Sequence, residues 1–108
     1  MTDYDAVIIG AGHNGLICAG YLAKAGKNVL VVDARAEPGG CASSREFSPG
    51  FNVSDCAQWL SQLDQSIVKD LDLVSAGLNL GKPKATISLQ PDGDHLILDG
   101  DTIRGAGI

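Results

Sequence analysis

The sequence predicts an α/β fold: an N-terminal β-α-β unit followed by short helices and a β-hairpin. Three observations carry the prediction. AVII at 6–9 is a continuous apolar run rich in β-branched residues, a glycine cluster follows it at once, and NVLVVD at 28–33 supplies a second apolar run. Unbroken apolar runs of this length suit strands of a parallel sheet that is buried on both faces. Between them, from Asn14 to Ala25, Leu16, Ala19 and Ala23 fall at helical spacing, as do Gly15, Cys18 and Leu22. Small residues on that pattern let the helix lie close to a sheet. Gly26 stands where a helix ends in the left-handed conformation, with Lys24 and Lys27 at the negative end of the dipole. Residues 5–33 therefore read as β-α-β with a right-handed crossover.

Beyond Asp33 the pattern changes. ARAEPGGCASSR at 34–45 is a loop of small residues. EFSPGFNVS places Pro49 and Gly50 between two short strand-like pieces, a turn or hairpin. From Asp55 to about Ser75 the spacing of Leu60, Leu63, Ile67, Val68 and Leu71 predicts one or two helices, ended near Gly77. KATISLQPDGDHLILDGD then gives two alternating segments around PDGD, a hairpin signal. The final DTIRGAGI reads as a tail without a terminating element.

Composition bounds the function. A chain of 108 residues with 44% hydrophobic content is one domain with a modest core. Its net charge of -5 and lack of a basic cluster exclude general nucleic-acid binding. Cys18, Cys41 and Cys56 form no CxxC pair, and with only His13 and His95 no zinc set assembles at familiar spacing. Free thiols point to a reducing compartment. The acidic opening MTDYD lacks a signal or transit pattern and no apolar run approaches a membrane span, so a cytoplasmic protein without a transmembrane segment is expected.

Gly10, Gly12 and Gly15 make G-x-G-x-x-G, a weak pattern alone in a chain with 14 glycines. Its position, after a strand and opening a helix, strengthens it. Gly10 permits the tight turn, Gly12 lets a pyrophosphate approach the helix N-terminus, and Gly15 lets the helix pack on the strand. Asp33 closes the second strand 18 residues after Gly15, near the ~20 at which an acid accepts hydrogen bonds from a ribose. A carboxylate there disfavours a 2′-phosphate. The alternative, a packing turn with a solvent-facing Asp33, explains fewer of these features. Gly39 and Gly40, six residues past Asp33, then favour FAD over NAD, because a second glycine pair lets backbone approach the pyrophosphate and ribityl chain of the longer cofactor.

The stretch DAVIIGAGHNGLICAGYLAKAGKNVLVVDARAEPGG, with PGFNVSDCAQWLS and DLDLVSAGLNL, resembles the start of phytoene desaturase-like FAD oxidoreductases. It is most similar to the phytoene dehydrogenase-related group that includes pyridine nucleotide-disulfide oxidoreductase domain-containing proteins. The disulfide-reductase branch, which carries a Cys-x4-Cys pair just after its GG, is excluded, because the next cysteine after Cys41 is Cys56, fifteen positions on. The resemblance implies a Rossmann-like FAD-binding domain, incomplete over 1–108. Residues 1–45 would form the dinucleotide-binding β-α-β with its GG loop, and 46–108 a hairpin, a helical segment and a second hairpin. It also implies hydride transfer from a substrate C–H to flavin N5 and an apolar small-molecule substrate.

Carried over by position, Gly10, Gly12, Asn14 and Gly15 would meet the pyrophosphate, Asp33 the adenosine ribose, Arg35 the adenine end, and Gly39 and Gly40 the ribityl-phosphate side. His13 either contacts the ligand or caps the helix start. Cys41 is a reactive thiol, a flavin anchor or, more simply, a small residue beside the loop. His95 is expected as an exposed strand residue. Trp59, Leu60 and Leu63 line either a substrate-side surface or the core. No general base or nucleophile stands in a catalytic context, so no catalytic residue is assigned. Relatives are much longer, and a fragment, a truncated product and a small protein of different role all remain open. The alternative function is a non-catalytic adenylate-binding or assembly module, with homo-oligomerisation through open sheet edges.

Overall fold

The first strand and helix arise where the apolar runs place them. A computed structural model describes residues 3–57, 60, 62–82 and 84–105, in two compact units, Met1–Leu78 and Asn79–Ile108. In the first unit, β1 (Ala6–Ile9) leads through the glycine turn into α1 (His13–Lys24), which returns to β2 (Val29–Val32). The strands pair in parallel, Ala6 opposite Val29 through Ile9 opposite Val32, and Gly10 N–H extends the ladder to Val32 O at 2.7 Å. Gly26 ends the helix at φ 80 as expected, with its N–H on Ala23 O.

Burial corrects the strand reading. β1 alternates: Ala6 and Ile8 are half-buried, whereas Val7 and Ile9 are exposed, Ile9 at 88%. A sheet is covered on both faces only when helices lie on both. This two-stranded sheet has α1 on one face, so the second apolar stripe of β1 faces solvent. The helix face also shifts. Gly15, Ala19 and Leu22 are half-buried, a stripe at i, i+4 and i+7, while Leu16, Cys18 and Ala23 are exposed.

A short 3₁₀ turn (Gly40–Ala42) precedes an antiparallel hairpin, β3 (Ser44–Ser48) and β4 (Phe51–Ser54). The Pro49–Gly50 turn joins its strands, with Gly50 left-handed at φ 80 and its N–H on Glu46 Oε1 at 2.6 Å. The helix expected from Asp55 is confined to α2 (Gln65–Asp70). Two constraints shorten it. Residues 55–57 continue the hairpin ladder instead, with Asp55 N–H on Ser43 O at 3.0 Å and Ala57 N–H on Cys41 O at 2.8 Å. At the other end, Asp72 adopts φ 49, which breaks the helical path, and turns follow to Gly77. The start is set by Asp64, whose carboxylate accepts from Ser66 N–H. α2 docks on α1: Tyr21 Oη donates to Asp70 Oδ2 at 2.9 Å, Lys24 Nζ donates to Asp70 O, and Leu71 lies over Gly20. Ala11 and Val68 are the buried hydrophobic residues of the described core.

In the second unit β5 (Thr86–Ser88), β6 (Leu96–Asp99) and β7 (Thr102–Arg104) form an antiparallel sheet in that order. The PDGD hairpin is present, its turn closed by Gly93 N–H on Gln90 O. His95 is half-buried rather than exposed, because its Nδ1 accepts from Gln90 N–H at 3.1 Å and ties the loop base together. The expected tail contains β7, joined to β6 through Gly100 at φ 59. No helix among the described residues is long and apolar enough to cross a membrane.

Candidate functional site

The glycine loop owes its shape to two different uses of glycine. Gly10 adopts φ 106, a left-handed conformation that strains a residue with a side chain, yet a Cβ there would meet nothing within 4 Å. Gly15 is the reverse: a Cβ would lie 2.0 Å from Gly10 O and 3.3 Å from Ile8 Cγ2. The turn needs Gly10 for its torsion and Gly15 for its space. Gly12, the N-cap of α1, has φ -74 and supplies no side-chain cap. The first amides of a helix have no intrahelical acceptor, and no side chain caps them here.

The second glycine pair is built onto the first. Gly39 N–H donates to Ala11 O at 2.7 Å, and Gly12 and Gly39 form an isolated parallel bridge. Gly39 and Gly40 are left-handed, at φ 119 and 59, and a Cβ on Gly40 would lie 2.9 Å from Gly12 Cα. Two backbones therefore touch at a distance that only glycine permits. The sequence assigns this pair to cofactor approach and gives no sign of its contact with the first loop.

Asp33 ties the same parts together from below. Its Oδ2 accepts from Ala11 N–H at 2.7 Å and its Oδ1 from Arg35 N–H at 2.8 Å. The Arg35 amide first and the Ala11 amide next hold the Asp33 carboxyl below the usual carboxylate range, against a smaller opposing effect of desolvation. Arg35 follows on the surface, its guanidinium 3.9 Å from the point where a Gly40 Cβ would lie. Ala11, absent from the predicted set, is the hub: its amide serves Asp33, its carbonyl serves Gly39, and it is buried. Its signal in the sequence is its position between two glycines, where a small side chain allows the loops to close.

His13 and Asn14 open α1 and border an apolar cavity of about 210 Å³. Ile17, Leu60, Leu63 and Ile67 form much of its wall. Leu60 and Leu63 thus line a surface cavity, and Trp59 lies outside the described residues. Cys41 adjoins the second glycine pair in the 3₁₀ turn, which is stapled by Ser43 Oγ, 2.8 Å from Gly40 O and 2.9 Å from Asp55 Oδ2. Arg45 Nε lies 3.0 Å from the other Asp55 oxygen. No group of three metal-ligating side chains occurs among the described residues.

The chain is 47% identical over 78 residues to mouse pyridine nucleotide-disulfide oxidoreductase domain-containing protein 2, covering 72% of this chain and 13% of that protein. It is 44% identical over 99 residues to a limonene dehydrogenase polypeptide of Castellaniella defragrans, covering 90% of this chain and 18% of the relative. Human all-trans-retinol 13,14-reductase is 54% identical over 53 residues, 44% of this chain and 9% of that enzyme. The chain thus spans less than a fifth of the length of each. No solved structure matches it. The model of the NAD(P)-binding Rossmann-like domain matches residues 8–71, which hold the glycine loop, Asp33 and the second glycine pair. With that match over more than half its length, the chain belongs to the family of NAD(P)-binding Rossmann-like domains found in oxidoreductase-like proteins.

Proposed function

We propose that this chain is the FAD-binding N-terminal part of a flavin-dependent oxidoreductase of the dehydrogenase type. The observation that carries the reading is the docking of Gly39 and Gly40 onto Ala11 and Gly12, which sets two glycine backbones side by side at the mouth of α1. A ligand with a pyrophosphate and a long polar chain would use both, whereas an adenylate alone needs only the first. The residues fit such a group. The helix start carries no side-chain cap, Gly10 leaves open space, Gly12 bears no side chain beside Gly40, and Asp33 keeps free lone pairs for a ribose.

Gly10, Gly12, Asn14 and Gly15 would hold the pyrophosphate, Asp33 the ribose, Arg35 the adenine side, and Gly39 and Gly40 the ribityl-phosphate side; His13 borders both this edge and the apolar cavity. The chemistry that bound FAD supplies is acceptance of a hydride from a substrate C–H at its N5. The apolar cavity walled by Ile17, Leu60, Leu63 and Ile67 is consistent with an apolar small-molecule substrate. Two of the relatives are named for acting on limonene and all-trans-retinol.

Titration of the chain with FAD, NAD⁺ and ADP, followed by flavin fluorescence and by displacement, tests the assignment. FAD binding weaker than micromolar but tighter than ADP is expected, without turnover. Equal affinities for FAD and ADP would favour an adenylate-binding module. Binding of NAD⁺ with no response to FAD would overturn the flavin reading.

A further inference from the structure

We propose that Ser43 is the positioning residue of the second glycine pair: its hydroxyl fixes the Gly40 peptide, and with it a preference for FAD over ADP. The preference rests on the flavin assignment, whereas the positioning does not. Gly39 and Gly40 have no side chains and adopt left-handed torsions, φ 119 and 59, so the pair keeps its shape through contacts at its two ends. One end is the first loop, where Gly39 N–H donates to Ala11 O at 2.7 Å. The other end is Ser43. Its N–H donates to Gly40 O at 3.2 Å, a long bond, and its Oγ donates to the same oxygen at 2.8 Å. Ser43 also closes on Gly39, where a Cβ would lie 3.1 Å from both Ser43 Cα and Ser43 Cβ.

Ser43 is itself held. Its carbonyl accepts from Asp55 N–H at 3.0 Å, and its Oγ lies 2.9 Å from Asp55 Oδ2. The single hydroxyl proton is shared between Gly40 O and that carboxylate. The glycine pair is thereby tied to the segment that continues the hairpin ladder past β4. The members of this chain of contacts differ in weight. Ser43 is half-buried, whereas Arg45, whose Nε meets the other Asp55 oxygen at 3.0 Å, has a side chain 72% exposed. An exposed ion pair contributes little, so the hydroxyl and not the guanidinium sets the Gly40 peptide. The consequence for a ligand follows from peptide geometry. The Gly40–Cys41 peptide is trans and planar, so its N–H points opposite to its C=O. Holding Gly40 O toward Ser43 turns the Cys41 N–H away from the 3₁₀ turn, and that amide has no acceptor among the described residues. It is a donor directed outward beside the glycine pair, where the ribityl side of FAD would use it. ADP lacks that part and gains nothing from it.

The test compares Ser43→Ala, Ser43→Thr and Arg45→Ala with the parent chain through two readouts. Amide hydrogen exchange by NMR, without ligand, follows Gly39 N–H against Gly10 N–H, which bonds to Val32 O and reports on the β-α-β ladder. Titrations with FAD and with ADP follow affinity. In Ser43→Ala, Gly39 should exchange about ten-fold faster, the worth of one net hydrogen bond, with Gly10 within about two-fold of the parent. FAD affinity should fall by about the same ten-fold and ADP affinity by less than about two-fold. Ser43 sits on extended backbone, φ -68 and ψ 153, which suits a β-branched residue, so Ser43→Thr should restore both readouts. Arg45→Ala should change neither. A Gly39 rate unchanged in Ser43→Ala, or raised together with that of Gly10, would overturn the proposal. So would equal losses of FAD and ADP affinity, or a Ser43→Thr chain no better than Ser43→Ala. A parent chain that binds no FAD would refute the flavin assignment alone, and the exchange rates would still decide the role of Ser43.

Discussion

Two glycines of the loop, three residues apart, should fail in opposite ways when each is replaced by alanine. At Gly15 the new Cβ would stand 2.0 Å from Gly10 O and 3.1 Å from Gly10 C. Both are backbone atoms of the strand-to-helix turn, so neither can swing aside, and α1 must lift from β1 by an ångström or more. Overpacking of this kind costs about 1–3 kcal/mol, and a clash with backbone sits at the top of that range. The helix-propensity gain of alanine over glycine, about 1 kcal/mol, offsets part of it. The net expectation for Gly15→Ala is a loss of about 2 kcal/mol, which for a chain of this size lowers Tm by roughly 8–16 °C. At Gly12 the nearest atom to the new Cβ is Gly40 Cα at 3.8 Å, and the φ of -74 suits any residue. Losing glycine at an N-cap and stiffening the unfolded chain act in opposite directions, so Gly12→Ala should change stability by less than about 1 kcal/mol. Its methyl group nevertheless occupies the mouth of α1, so FAD affinity should fall by about ten-fold or more. Circular dichroism during thermal unfolding, paired with flavin titration, separates the effects. A Gly15→Ala chain as stable as the parent would refute the packing argument. A Gly12→Ala chain that binds FAD normally would refute the cradle.

Gly40→Ala should be destabilised through both torsion and space, because φ 59 costs a non-glycine residue about 1–2 kcal/mol and the Cβ meets Gly12 Cα at 2.9 Å; urea unfolding measures it. Asp33→Asn should weaken ribose-dependent binding by about ten-fold, since hydrogen bonds to a charged group are the stronger ones, while a ligand lacking the ribose hydroxyls should lose nothing; paired titrations decide. The carboxyl of Asp33 is lowered in the folded state, so its contribution to stability is complete above the unfolded value of about 3.9 and is lost as pH falls through the folded value. A carbon-detected NMR titration with a midpoint at or above that of an unstructured aspartate would contradict this. Ile9→Lys places a charge on an 88% exposed position, so it should leave unfolding unchanged and reduce any concentration-dependent association seen by sedimentation velocity.

The β-α-β unit was legible because three independent signals agree over residues 5–33: apolar runs, glycine spacing and the helix-ending Gly26. Short-range turn chemistry was equally plain at Pro49–Gly50 and at PDGD. What failed was inference about partners outside the local segment. Val7 and Ile9 read as buried because strands with unbroken apolar runs usually have two covered faces, but only the α1 side is covered here. Residues 55–57 read as helix from the spacing of the leucines, yet their amides bond across to Ser43 and Cys41, contacts that no local pattern announces. At the candidate site, residue types and positions were legible but their mutual contacts were not. Gly39 and Gly40 read as ligand-facing, and the structure shows them first packed against another stretch of backbone.

Asp33 shows why one residue can serve both the fold and a ligand. An ionised carboxylate offers about four acceptor positions on its two oxygens. In this chain each oxygen takes one backbone amide, Ala11 on one and Arg35 on the other. One position on each oxygen is left, enough for the two hydroxyls of a ribose. Ligand binding at Asp33 therefore adds hydrogen bonds without breaking those that shape the loop. The same amides that keep the carboxyl ionised also fix its direction, since Ala11 is immobilised by its second bond to Gly39. A ribose held here would be held by a group already oriented, and the entropy of ordering that side chain would not be charged against binding. Substituting Ala11 with a larger residue should accordingly weaken ligand affinity and loop stability together, whereas Asp33→Asn should lower affinity more than stability. Parallel losses in both variants would place the whole role of Asp33 in the fold.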